Sequence, residues 1–390
     1  MSDESRPVLI VAGEASSALY AKRLLEFWKE AHQPVDAFGI GDAAMEKLGF
    51  QRIGRSEDMA VVGFKEVLKH WGHIKEVFNQ LLAAVEKKKP AFALLLDYPG
   101  FNLRLAKKLK AMGVPVVYYI SPQVWAWKKG RIQQIQQYVD KMLVLFPFEK
   151  TFYQEHGVDV EFVGHPLLDE LDPKLFSDSD RKEQRQRYGI LDDEFVVGLM
   201  PGSRHSELDY NLQRQIDVAR SLYIKKTSKK LRFVLFVAPS LEKEEIQRRL
   251  QTLDFPLLLV QEDPFYMIRM ADIVLTASGT ATIFVGLMKR PMIIMYIMNS
   301  ITAFIARRLV TSTPFFGMVN IILGKEVGRE YFQENASVKK LSEALTKLIE
   351  DDSYRQSVEE ELNHLSSCLG ERGATQRVAE SLSGYFQEPS

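Results

Sequence analysis

Short apolar runs alternate with longer segments of helical periodicity along almost the whole chain, and this alternation restricts the fold more than any other feature. Strands separated by helix-length segments pair in parallel, because a parallel pair needs a crossover long enough to hold a helix. In the first half the runs are Val8–Ala12, Val35–Ile40, Phe92–Asp97, Val114–Ile120, Met142–Phe146 and Val160–Val163. In the second half they are Phe195–Leu199, Leu231–Ala238, Leu257–Val260, Ile273–Thr276 and Met292–Tyr296. Leu19–Ala31, the stretch from Val62 to about Lys89, and the charged region from Ser337 onward carry the helical pattern. Phe92–Leu96 is wholly apolar, as in a strand buried on both faces. With 390 residues the chain exceeds what one core supports. The polar stretch Leu171–Arg187, with Pro173 and a cluster of Asp and Ser, reads as a linker. The expected architecture is therefore α/β, with two doubly wound domains facing a cleft. They span 1–170 and 188–365 around a linker at 171–187, and a terminal helix at 366–390 packs back on the first domain.

Ligands of such sheets bind beyond the carboxyl ends of the strands, so the residues just after each run are the site candidates. Phe195–Leu199 leads into Pro201-Gly202-Ser203-Arg204 and a polar helical segment. A turn of this kind offers free backbone N–H groups to an anion, and Arg204 adds a forked donor suited to a diphosphate. The competing reading is an ordinary strand-to-helix turn with a surface arginine. A second turn, Ser278-Gly279-Thr280, lies between Ile273–Thr276 and the apolar Ile283–Met288. Two such turns fit a nucleoside diphosphate better than a single phosphate, although neither is a P-loop or a Gly-x-Gly-x-x-Gly fingerprint. Asp97 closes its run ahead of Pro99, as either a turn-forming acid or a partly desolvated base for an acceptor hydroxyl. Glu14, just past the first run, is a second acid that could share that work or orient a substrate. His165, between Gly164 and Pro166, is a ligand contact or a turn histidine with a satisfied ring. Asp178-Ser179-Asp180 has the look of a metal-binding triplet, but its place in the polar stretch makes it a helix cap. No metal or other cofactor is expected.

Lys and Arg total 51 and so do Asp and Glu, which argues against a general nucleic-acid binder. The single cysteine, Cys368, allows neither an intramolecular disulfide nor a Cys-rich metal site, and suits a reducing compartment. Pro7–Ala12 is too short and too early for a signal peptide, and Glu14 follows it. No stretch reaches the ~18 apolar residues of a membrane span. Met292–Val310 joins an apolar face bearing Tyr296 and Phe304 to Arg307 and Arg308. It is a core strand with a partly buried helix, or a surface that meets lipid headgroups.

Several pieces in fixed order carry a resemblance: Ala12–Ser16 (AGEAS), Val61–Leu68 (VVGFKEVL), Asp97–Asn102 (DYPGFN), Ser121–Trp127 (SPQVWAW) and Phe146–Glu149 (FPFE). Gly164-His165, Pro201–Arg204 (PGSR) with Glu207, Ser278–Ala281 (SGTA), and Asn320 with Gln333 complete the set. Together they resemble the lipid-A-disaccharide synthase family, inverting glycosyltransferases with two Rossmann-like domains of the GT-B type. The resemblance implies transfer of a sugar from UDP-2,3-diacylglucosamine to the 6-hydroxyl of 2,3-diacylglucosamine 1-phosphate, giving UDP and a β-1,6-linked disaccharide. It implies Asp97 as general base and Glu14 as a second essential acid. Arg204, Ser203, Glu207, Ser278, Gly279, Thr280, Asn320 and Gln333 would hold the UDP-sugar in the second domain. Ser16, Asn102, Ser121 and Trp125 would stand on the acceptor side in the first. Cationic and amide groups would stabilise the leaving diphosphate without a metal. Implied too is a cytoplasmic protein attached peripherally to the inner face of the inner membrane, with room for a homodimer. Three positions depart from the family's usual acids: Ala18, Gly100, and Phe284 where a glutamate bonds the ribose. They keep open two other expectations, an impaired paralogue that binds lipid or nucleotide and a different UDP-sugar enzyme such as an epimerase.

Overall fold

The computed structural model describes residues 7–33, 35–59, 64–124, 130–225, 227–250, 253–299 and 314–386. The chain divides into two compact units, Met1–Asp169 with Leu369–Ser390, and Glu170–Cys368.

The first unit is built on seven parallel strands: β1 (Val8–Ala12), β2 (Ala37–Gly41), β3 (Gln51–Arg55), β4 (Ala93–Leu96), β5 (Val116–Tyr119), β6 (Lys141–Val144) and β7 (Val160–Phe162). Their order is β3-β2-β1-β4-β5-β6-β7. Every residue of β1 and β4 is buried, as expected of central strands with both faces covered. Gly39 shows how tightly this sheet is drawn together. Its φ is +140°, and a Cβ there would lie 2.1 Å from the carbonyl oxygen of Ile10 on β1.

The second unit holds β8 (Glu194–Met200), β9 (Lys230–Phe236), β10 (Leu257–Val260), β11 (Ile273–Ala277), β12 (Met292–Tyr296) and β13 (Arg329–Phe332). All pair in parallel, in the order β10-β9-β8-β11-β12-β13. In each sheet the chain winds outward from the first strand, then returns to that strand's other side and winds the opposite way. The reversal falls between β1 and β4 in one unit and between β8 and β11 in the other. Each is a topological switch point, where helices leave in opposite directions and open a crevice at the strand ends. The chain is thus α/β with two Rossmann-like, doubly wound sheets.

The end of the chain belongs to the first unit. Helix Ala374–Leu382 packs on helix Ala15–Glu30, and Phe386 sets its ring edge-on to Trp28 and Phe92, with centroids 5.8 and 5.2 Å away. Arg377 donates to the Val163 carbonyl (2.8 Å), and the Gly373 N–H to Asp169 Oδ1 (2.6 Å).

Two expectations need correction. The strands β3 and β13 have no apolar run to announce them; they are polar edge strands, half-solvated by their position. The polar stretch 171–187 is not an open linker but a 3-10 turn (Pro173–Phe176) and a helix (Asp178–Arg187) folded into the second unit. Its cap is Ser177, whose hydroxyl accepts the Asp180 N–H (3.3 Å). What holds this helix is charge rather than apolar area. Arg181 and Arg185 each place a guanidinium nitrogen on Asp272, at 2.7 and 2.8 Å, and the same carboxylate accepts the Val196 N–H of β8 (2.7 Å). Burial alone would raise the Asp272 carboxyl, but Arg185 and Arg181 overcome that and hold it below the usual aspartate value.

Removing this anion strands two guanidinium groups, so Asp272→Ala should cost about 3 kcal/mol in urea denaturation. Because the folded-state carboxyl is depressed, its stabilisation is complete above the unfolded value of about 3.9 and is lost as pH falls through the lower folded one. An acid titration of stability should therefore be steeper in the parent than in the variant.

Candidate functional site

In the first unit β1 and β4 run side by side with Ala12 opposite Leu96. Asp97 therefore emerges one residue past the end of β4, and Glu14 two residues past the end of β1. Gly13 lies between them without a side chain because Tyr98 needs the space. A Cβ on Gly13 would stand 2.9 Å from Tyr98 Cδ1. Burial, and then the Glu14 carboxylate, raise the Tyr98 hydroxyl above its usual value. Glu14 heads helix Ala15–Glu30, and the buried Ser17 hydroxyl closes its first turn, accepting the Glu14 N–H (3.0 Å) and donating to the Glu14 carbonyl (2.8 Å). Ser16, beside it, is exposed, and Ala18 is buried.

Asp97 and Tyr98 both occupy the left-handed region, with φ of +47° and +44°, before Pro99 opens helix Pro99–Ala111. The Asp97 N–H donates to the Tyr119 carbonyl (3.0 Å). Asn102, expected on the acceptor side, is fully buried, and its amide donates to the carbonyls of Leu96 (3.1 Å) and Asp97 (2.8 Å). The Tyr118 hydroxyl donates to that same Asp97 carbonyl. Ser121 is also turned inward, with its hydroxyl 2.8 Å from that of Tyr153 and 3.0 Å from the Pro122 carbonyl. Gly100 is exposed with open space around it. Trp125 lies outside the described residues.

His165 takes the second of its two readings. It is buried between Tyr20 and Phe146, and Nδ1 accepts the Leu167 N–H (3.2 Å). Burial lowers its pKa to about 3, so the ring is neutral and structural at ordinary pH. Glu149 of the FPFE stretch is likewise internal: it accepts the Phe146 N–H (3.2 Å) and caps helix Pro147–Glu155.

The second unit repeats the arrangement with different chemistry. β8 and β11 are paired with Met200 opposite Thr276, so the turns that follow them leave the same edge of the sheet. Gly202 adopts φ +134°, and Glu207 fills the room a side chain there would need. Glu207 Oε2 accepts the Ser203 N–H (2.8 Å), while Oε1 lies 3.8 Å from the Arg204 guanidinium. Asn211 and Gln215 reach back from helix His205–Lys225 to the carbonyls of Pro201 and Met200, both at 3.1 Å. The turn is thus tied from within, and the Arg204 side chain, 51% exposed, projects from it. Glu207, expected as a ligand contact, is a clasp for the turn and a neighbour for Arg204.

Past β11, the Ser278 hydroxyl donates to the Phe316 carbonyl (2.9 Å). Gly279 sits at φ +138° with open space where a Cβ would go, and Thr280 is exposed. Thr282 Oγ1 closes the turn onto the Gly279 carbonyl (2.8 Å). Asn320 is not at the edge. Fully buried, it spends its oxygen on the N–H groups of Val327 (2.8 Å) and Gly328 (2.9 Å), and its nitrogen on the Gly328 carbonyl (2.6 Å) and Glu330 Oε1 (2.7 Å). Glu330 in turn accepts the N–H groups of Phe316 and Gly317, both at 2.9 Å. Burial raises the Glu330 carboxyl in spite of these bonds. A chain of contacts thus runs from Asn320 through Glu330 and Phe316 to Ser278. Gln333 follows β13 at φ +52° and donates to the Met298 carbonyl (3.0 Å). Phe284, where the ribose-binding acid was expected, packs on Phe265 with ring centroids 4.9 Å apart.

One residue escaped the sequence reading, and another entered it only as part of an apolar face. Glu330 gave no signal, being an acid in a polar edge strand. Tyr296 was in view as the last residue of an apolar run. Its hydroxyl is raised first by burial and then by Glu207, and lowered by Arg204, so it shares their neighbourhood.

The family model for lipid-A-disaccharide synthetase matches residues 8–382. The lipid-A-disaccharide synthase of Trichlorobacter lovleyi is 38% identical over 372 residues, covering 95% of this chain and 95% of its own. That of Koribacter versatilis is 39% identical over 389 residues, covering 97% and 98%. Among solved structures, S. aureus MnaA with UDP superposes with a TM-score of 0.66 at 13% identity, covering 99% of both chains. The UDP-GlcNAc 2-epimerase of Neisseria meningitidis bound to UDP-GlcNAc gives 0.61 at 15%, covering 96% and 99%. Anabaena HepE in complex with UDP and glucose gives 0.56 at 15%, covering 97% and 100%. At these identities the structural likeness concerns fold alone.

The turn after β8 depends on the glycine at its second position. Gly202→Ala combines a left-handed φ with overlap onto Glu207, so the turn must shift and release the Ser203 N–H. The expected result is a loss of about 1–3 kcal/mol in stability, read by urea denaturation. Unchanged values would mean that the turn adapts freely.

Proposed function

The chain belongs to the lipid-A-disaccharide synthase family, and from that membership we propose how its two units divide the work. It is a glycosyltransferase that forms the lipid A disaccharide from a UDP-sugar donor. The donor is UDP-2,3-diacylglucosamine and the acceptor 2,3-diacylglucosamine 1-phosphate. Asp97 takes the proton of the acceptor's 6-hydroxyl as that oxygen attacks the anomeric carbon. The bond from that carbon to the diphosphate breaks on the opposite side, which inverts the centre and gives the β-1,6 linkage. UDP departs with the charge of its diphosphate met by Arg204, by the Ser203 and Thr280 hydroxyls and by the Gly279 and Thr280 amides, while Ser278 holds its turn in place. Glu14 is the second acid beside Asp97, and the exposed Ser16 stands next to it on the acceptor side.

The observation that carries this reading is the placement of unlike chemistry at like positions. Two acids stand past the paired strands β1 and β4, and an arginine and a Ser-Gly-Thr turn stand past the paired strands β8 and β11. Asn320, Glu207 and Asn102 act one layer back, holding the turns that carry the contacts. Phe284 cannot bond a ribose, so in this chain the ribose hydroxyls are met by other groups. The impaired-paralogue and epimerase readings are not favoured: the named relatives span the full chain, whereas likeness to the epimerases stops at the fold.

No described helix is long and apolar enough to cross a membrane. The acyl chains of both substrates bring the protein to the cytoplasmic face of the inner membrane as a peripheral enzyme. Residues 300–310 of the stretch suited to lipid contact, Phe304, Arg307 and Arg308 among them, lie outside the described residues.

Asp97→Asn should lower kcat by about 10²- to 10⁴-fold while UDP binding stays as it was. Arg204→Ala should weaken UDP by about tenfold or more. Product formation from labelled donor and calorimetric titration with UDP measure the two. A fully active Asp97→Asn, or a UDP affinity indifferent to Arg204, would contradict the assignment.

A further inference from the structure

We infer that Tyr118 and Asn102 are positioning residues that hold the Asp97 peptide in a left-handed conformation and so aim its carboxylate; the inference rests on the reading of Asp97 as the base. Left-handed backbone costs an L-residue stability, aspartate less than tyrosine, and two such residues in succession need a restraint. The restraint is visible atom by atom. The Asp97 N–H is held by the Tyr119 carbonyl of β5, and its C=O receives two donors, the Asn102 amide and the Tyr118 hydroxyl. Two donors satisfy both lone pairs of a carbonyl, so the peptide is fixed on each side.

The two donors come from different elements, Tyr118 from β5 and Asn102 from helix Pro99–Ala111. Asn102 holds the Leu96 carbonyl as well, so the last peptide of β4 and the first beyond it are gripped by one side chain. Tyr118 and Asn102 are both fully buried, so neither can reach a sugar, and any effect on the reaction passes through Asp97. Without these bonds the chain would relax toward extended backbone, where successive side chains point to opposite faces. The carboxylate would then leave its place, and small misplacements of a catalytic group are expensive in rate.

The test compares Tyr118→Phe, Asn102→Ala and Asp97→Asn with Leu345→Ala, a destabilised control in the core of the other unit, all assayed below their unfolding transitions. Both positioning variants should lose about tenfold or more in kcat, with KM for each sugar and UDP affinity within about twofold of the parent, and the control should keep its kcat. A kcat near the parent's in Tyr118→Phe and Asn102→Ala, with Asp97→Asn inactive, would overturn the inference and leave the base assignment standing. So would an equal loss in the control, or a loss that appears in KM instead. If Asp97→Asn is itself active, the base assignment fails and this inference falls with it.

Discussion

In a parallel sheet covered by helices on both faces the central strands meet solvent only at their ends, and that constraint governs the rest of this molecule. β1 and β4 are buried along their whole length, as is β11. Polar chemistry is therefore confined to the turns beyond the strands. At the two switch points the neighbouring strands send their helices in opposite directions, which leaves room at the edge for a ligand. Asp97, Glu14, Arg204 and the Ser278 turn all stand at these two places.

Confinement to turns has a cost, since turns are less ordered than the strands that feed them. Here buried and half-buried polar side chains meet that cost. Asn211 and Gln215 hold the carbonyls before Ser203, Glu207 holds the Ser203 N–H, and the Asn320–Glu330 pair fixes the segment to which Ser278 bonds. Asn211, Gln215 and Asn320 give up contact with water, Glu207 and Glu330 only part of it, and each is bound to backbone in return, which stiffens the turns. The exposed groups at the turns thus rest on a preorganised scaffold.

Much of the fold was legible because central parallel strands must be apolar on both faces. Runs such as Phe92–Leu96 and Ile273–Thr276 could hardly be anything else. Edge strands escape that requirement, so Gln51–Arg55 and Arg329–Phe332 gave no apolar signal. The helix Asp178–Arg187 was mistaken for a linker for a related reason: Asp272, far along the chain, supplies the partner that its arginines need, and no local pattern reports that. At the site, residue type and place after a strand pointed to Asp97, Glu14, Arg204 and the Ser278 turn. The sequence could not tell a side chain that faces a ligand from one that faces the backbone. Asn102, Asn320, Ser121 and His165 share their motifs with the exposed groups, yet burial turns each of them inward.

A nucleotide that meets the second unit at the β8–β11 switch point must shield the turns there. Amide hydrogen exchange of the full-length protein with and without UDP tests it most directly. Slower exchange on UDP binding in segments 201–208 and 278–284, with no change at the opposite strand ends near 190–195 and 288–292, is the predicted result. Protection confined to those opposite ends, or spread evenly over the unit, would contradict it.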